Sequence, residues 1–134
     1  MGRLEAGIKW VMLLSGALTC TMFYAALDPE GSFKATFGEE LEGDAARIVV
    51  RNWGTLIGLV GLMLVYGAFR PAVRALALSV GGASKAVFVG LVLAHGTRFF
   101  GFQAGIAVAI DALAVLLFAA YLIHARRTAV TASR

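Results

Sequence analysis

Two ionisable residues stand inside long apolar runs of this 134-residue chain, Lys85 in the stretch GGASKAVFVG and Asp111 in AGIAVAIDALAV. An ammonium or carboxylate at mid-depth in a hydrocarbon layer costs about 2.5–3.5 kcal/mol on insertion scales, so such groups are kept for pairing or for function. A lysine and an aspartate offer two chemistries. They can neutralise each other as an ion pair that fixes how two helices align. Alternatively, one of them titrates during proton or ion movement, or holds a charged ligand. Counted from a turn near Phe99 at about 1.5 Å per residue, Lys85 lies about 21 Å and Asp111 about 18 Å along their helices, so the two share a depth. On a helix Asp111 shares its side with Ala104, Ala107, Val108, Ala114 and Val115, and Lys85 with Leu78, Gly81, Gly82 and Val89. Faces that lean towards small residues pack against protein, and a Lys85–Asp111 pair inside the protein is the expectation.

The elements that must position this pair follow from composition. Sixty per cent of the residues are apolar and the mean hydropathy is +0.83, whereas soluble chains are roughly 45–50 per cent apolar. Four apolar runs, at about 8–27, 53–69, 72–96 and 99–124, each match or exceed the roughly 17 residues that can cross a bilayer. Pro71, which needs no amide donor at the start of a helix, opens the third. The chain therefore reads as one all-α polytopic membrane domain, with four transmembrane helices in an antiparallel bundle and residues 28–52 as an acidic outer loop between helices one and two. The first run is long for a secretory signal core, and a cut after Ala26 would put the bulky Tyr24 at the third residue before it, so an uncleaved helix is expected. Cys20 is the single cysteine and closes no intramolecular disulfide.

Basic residues set the orientation. Arg3, Lys9, Arg70, Arg74, Arg126, Arg127 and Arg134 fall on one side of such a bundle, and Lys34, Arg47, Arg51 and Arg98 on the other. The positive-inside rule then puts both termini in the cytoplasm, and without organelle signals the expected location is a bacterial inner membrane. No basic run of the kind that binds a phosphate backbone is present, so a formal charge of +4 predicts no nucleic-acid partner. Asp28, Glu30, Glu39, Glu40, Glu42 and Asp44 place most of the chain's carboxylates in the segment that would face outward. Within it Phe33, Phe37 and Leu41, four apart, would form the apolar stripe of a short surface helix.

Helices in lipid associate through close packing of small residues. Gly54, Gly58 and Gly61 on helix two, Gly82, Ala86, Gly90 and Ala94 on helix three, and Gly105 and Ala109 on helix four are the expected seams, predicted to touch one another. At the outer end Arg51, Asn52, His95, Arg98 and Gln103 could gather into a basic site for an anion or lipid headgroup. His95 and His124 would lie at opposite ends of the bundle, which excludes a shared metal or haem, and no cofactor is predicted. The hydroxyls of Ser15, Thr19 and Thr21 are expected to bond to their own helix backbone. No nucleophile, base and orienter set, phosphate-binding glycine loop or HExxH-type spacing is present, so the sequence offers an enzyme no active site.

Asp28–Pro29 after the first helix, the Phe37–Gly38 turn, and Arg51 and Gly54 opening a compact three-helix unit give a layout that resembles the DoxX-like small bacterial membrane proteins. That resemblance implies an accessory subunit, in a group some of whose members are linked to membrane redox complexes, and it carries no catalytic residue to this chain. Small multidrug transporters differ in placing an essential acidic residue in their first helix, where this apolar run has none. The expected function is a non-enzymatic accessory or assembly subunit that forms homo- or hetero-oligomers within the bilayer. The alternative is a small transporter, or a lipid- or quinone-binding protein, that uses Lys85 and Asp111.

Overall fold

The computed structural model describes residues 2–133, and all of their regular structure is helical. Arg134, counted among the basic residues above, lies outside the described residues. Four helical stretches are long and apolar enough to cross a membrane: Gly2–Leu27, Asp44–Phe69, Pro71–Ala94 and Gln103–Ala132. The shortest has 24 residues and is about 36 Å long, more than a hydrocarbon layer of about 30 Å requires.

These bounds correct the run limits 8–27, 53–69, 72–96 and 99–124. Hydropathy marks where a helix is apolar, whereas helical hydrogen bonding starts earlier wherever polar residues tolerate it. The second stretch thus begins at Asp44, with Arg51 and Asn52 exposed on its first turns. The fourth begins only at Gln103, because the chain leaves the third stretch through His95 and Gly96, the latter at φ 69, and reaches Phe102 in an extended conformation.

The first stretch consists of α1 (Gly2–Cys20), a 3₁₀ turn (Thr21–Phe23) and α2 (Tyr24–Leu27). Thr21 Oγ1 donates to the Leu18 carbonyl three residues back at 2.5 Å, at the residue where the winding tightens. Helix α3 (Pro29–Phe37) then occupies part of the segment that the sequence marks as a loop. Asp28 caps it by accepting the Gly31 amide at 3.0 Å, Pro29 opens it, and Gly38 at φ 73 ends it in a left-handed conformation that glycine tolerates. The predicted stripe is thereby corrected: Phe33 and Phe37 belong to the helix, while Leu41 lies beyond its glycine stop.

Helix α4 (Asp44–Phe69) packs against both α1 and α5 (Pro71–Ala94); α6 (Gln103–Ala132) packs against α5 and, less extensively, against α1. The core gathers Met12, Leu64, Leu78 and Phe118, all fully buried. The contact between α1 and α4 is a backbone approach. A Cβ on Gly61 would lie 2.8 Å from the Gly16 carbonyl oxygen, and one on Gly16 would lie 2.8 Å from the Gly61 oxygen. Gly58 faces Phe23 and Gly54 faces Ala25 along the same line.

The expected meeting of glycine faces from helices two, three and four is therefore corrected. Gly54, Gly58 and Gly61 of α4 face the first stretch, at Ala25, Phe23 and Gly16, and α4 meets α5 through other pairs, Leu64 against Gly81 and Ala77 against Gly67. Gly82 touches only Phe118, Gly90 has open space beside it, and Ala86, Ala94 and Ala109 are exposed. Gly105 lies against the backbone of Phe100, in the turn preceding its own helix.

A single residue, Arg70, separates α4 from α5. Arg74, in the first turn of α5, is buried and donates to the Ala68 carbonyl at 3.1 Å and the Gly67 carbonyl at 3.4 Å. The end of a helix leaves carbonyls without partners, and a cation there also opposes the helix dipole.

Gly61→Val should lower stability by about 1–3 kcal/mol through overpacking against Gly16 and Cys20, whereas Gly90→Val, with open space around it, should leave the midpoint almost unchanged. Thermal unfolding of both variants in one detergent checks this.

Candidate functional site

The buried positions of α5 include Leu78, Gly81, Lys85 and Val92, and those of α6 include Ala104, Val108, Ala114 and Phe118. Both series follow the three- and four-residue spacing of one helix face. Lys85 belongs to the first series, and Asp111 falls midway between Val108 and Ala114 in the second. Lys85 Nζ lies 2.5 Å from Asp111 Oδ1. It also donates to Thr19 Oγ1 at 3.0 Å, and Thr19 in turn donates to the Ser15 carbonyl at 2.7 Å. One ammonium thus joins α5, α6 and α1. The side chains of Lys85 and Asp111 retain 8% and 18% of their surface exposed, so the pair is largely withdrawn from solvent without being sealed in protein.

What it borders is a cavity of about 370 Å³. Its walls are mainly hydrocarbon, from Ile57 and Val60 of α4, Phe88 of α5 and Ile106 of α6. The hydrogen-bond-linked Thr19, Lys85 and Asp111 stand in its wall with Ser15, and Thr21, Thr36, Ser84 and Gln103 add further polar groups to the lining. Ser15 is buried, and its Oγ has no hydrogen-bond partner among the described residues. Thr19 and Thr21 return their hydroxyl protons to their own helix as the sequence leads one to expect, and Ser15 does not.

Helix α3 closes one side. Thr36 is buried and lines the cavity, while the Phe37 ring lies 6.2 Å from Trp53 and 5.4 Å, edge-on, from Phe99. Aromatic pairs at these separations are favourable beyond their buried area. Between α1 and α6 there is no such cover. The two helices contribute Ile8, Met12 and Phe118 to a shared core cluster, but beside the cavity Leu18, Ile106 and Ile110 are 53%, 65% and 42% exposed. The exposed part of the lining lies on these two stretches and includes Thr21 and Gln103.

The residues predicted for an outer anion site take separate places. Arg98 pairs with Glu39 and stacks over Phe99, and the His95 ring nitrogen meets the Leu91 carbonyl at 2.8 Å. Arg51 and Asn52 are exposed on α4, and Gln103 lines the cavity. No hydrogen bond or ion pair joins these five to one another among the described residues. The acidic segment folds its own carboxylates onto the basic groups at this end: Glu39 on Arg98, Glu40 on Lys34, and Glu30 and Asp44 on Arg47. Among the described residues no three of His, Cys, Asp and Glu gather as metal ligands.

Chemically, the site is an electrically balanced pair in an apolar chamber, with hydrogen-bonding capacity to spare. Lysine has three ammonium donors and two are engaged; Asp111 uses one oxygen. Sequence reasoning missed Ser15 as part of the site. The available signal was that Ser15 and Thr19 extend, four residues apart, the inward face begun by Ile8 and Met12.

Breaking a buried pair leaves an uncompensated charge, so Asp111→Ala should lower stability by about 3–5 kcal/mol. The size-matched neutral double variant Lys85→Met with Asp111→Leu should recover most of it. Folded yield and thermal midpoint measure both, and a double variant no better than the worse single one would show that the charges do not stabilise each other. No family model, curated protein sequence or solved structure matches this chain.

Proposed function

We propose that this chain is a small bacterial inner-membrane protein, an antiparallel bundle with both termini cytoplasmic and the acidic 28–52 segment outside. In this reading it binds a small, mainly apolar molecule of the lipid or quinone class beside Lys85 and Asp111. The observation that carries the reading is a charge pair set in the wall of a cavity of about 370 Å³. A pair that served only to align two helices would be best enclosed by packed side chains, where the low dielectric strengthens it. Here it borders a chamber of the size and apolar character typical of small-molecule sites.

A second reading is the accessory or assembly subunit. It is favoured by Ala86, Gly90 and Ala94, which form an exposed small-residue side of α5 with space for a second membrane helix to approach closely. The DoxX-like layout points the same way and adds no site residue.

Purification from native membranes in mild detergent, followed by mass spectrometry of both small molecules and polypeptides, separates the two. We expect a small apolar molecule near one per chain, lost in the Lys85→Met, Asp111→Leu variant. A stoichiometric second polypeptide with no small molecule would replace the first reading with the second.

A further inference from the structure

The geometry points to a narrower ligand class: an amphiphile with an uncharged hydrogen-bonding head, such as a hydroxyl, ester or amide, that enters from the bilayer between α1 and α6 and sets its head against Ser15. This rests on the cavity reading above and specifies what the cavity selects.

Charge balance excludes an ionic head. Lys85 and Asp111 already cancel each other at 2.5 Å, so an anion or cation beside them would bring a third charge with no counterpart among apolar walls. Burying such a charge is far more costly than burying a hydroxyl that finds a partner. Ser15 supplies that partner. A buried polar atom without a hydrogen bond is uncommon in a folded protein, and Ser15 Oγ is such an atom, in a residue that lines the cavity one helical turn from the Thr19 hydroxyl that receives Lys85. A serine hydroxyl both donates and accepts, as does an alcohol or amide, and the third ammonium donor of Lys85 remains for a carbonyl or hydroxyl oxygen.

The route follows from what is covered. Helix α3 and the contacts among Phe37, Trp53 and Phe99 lie across one side of the chamber. The side between the first stretch and α6 is bordered by Leu18, Ile106 and Ile110, with Thr21 and Gln103 beside them, all exposed. With Leu18, Ile106 and Ile110 exposed on that side, a molecule already dissolved in the membrane can enter the chamber.

Trp53 lines the cavity and Trp10 is an exposed residue of α1. Trp10→Phe therefore leaves one tryptophan as a reporter, since the chain has two. With this variant in lipid nanodiscs, four probes of equal chain length, each brominated at the tail, are titrated against Trp53 fluorescence: an alcohol, a sulfonate, a trimethylammonium salt and the plain alkane. Saturable quenching by the alcohol is expected, at least fivefold tighter than by either ion, and only non-saturating quenching by the alkane. Ser15→Ala should weaken the alcohol about fivefold, the worth of one neutral hydrogen bond. Leu18→Phe with Ile106→Phe, both at exposed positions, should slow the approach to the plateau without changing its level.

An ion binding as tightly as the alcohol, or Ser15→Ala leaving the alcohol unaffected, overturns the uncharged-head assignment while saturable binding preserves the cavity reading. An unchanged rate in the double phenylalanine variant overturns the route. Absence of saturable quenching by all four probes removes the cavity reading itself.

Discussion

The ammonium of Lys85 constrains this protein more than any other group. A buried charge needs both an opposite charge and hydrogen-bond acceptors; from its place on α5 it finds them in Asp111 of α6 and Thr19 of α1. Three helices are thereby held in one axial alignment by a single side chain. A shift of one helix by a residue would move its acceptor by about 1.5 Å and rotate it by a large part of a turn, which hydrogen bonding at 2.5–3.0 Å does not tolerate. Helix α4 alone among the four long stretches takes no part in this network. Its hold on α1 is of a different kind, a bare approach of backbone to backbone at Gly16 and Gly61.

The cavity results from these two unlike contacts. Glycines bring α1 against α4, whereas α1 and α6 join in the core around Met12 and Phe118 and through the Lys85 network. Farther along, Leu18 and Ile106 fail to cover each other. Filling that gap with large side chains would have been the ordinary way to stabilise a bundle, given that interiors pack nearly as densely as organic crystals. The gap is instead lined largely by hydrocarbon, and the one largely buried ion pair among the described residues stands in its wall.

Much of this was legible in the sequence. Hydropathy gave the existence of the four long helices, and counting residues from Phe99 gave the common depth of Lys85 and Asp111, because helix rise is nearly constant. Of the alanines and valines sharing a side with Asp111, Ala104, Val108 and Ala114 are buried and Ala107 and Val115 half-buried. Glycine partnership was not legible: a glycine face states that something comes close without stating what, and α4 has two neighbours. The run limits misplaced helix ends because the polar first turns of α4 are helical without being apolar. Ser15 was assigned to its own helix backbone, as a helical serine ordinarily is, and its hydroxyl is instead without a partner among the described residues. Arg74 was counted for its charge alone, although its guanidinium turns inward, which a topology count has no means of registering.

That arginine bears on how the hairpin of α4 and α5 holds its own corner. With only Arg70 joining α4 to α5, and with the final carbonyls of α4 taken by a side chain of α5, the earlier helix has an incomplete end until the later one has been synthesised. The α4–α5 hairpin therefore carries the closure of its own corner within itself, whereas the stretch from Gly2 to Leu27 is tied to α4 only across the glycine contact.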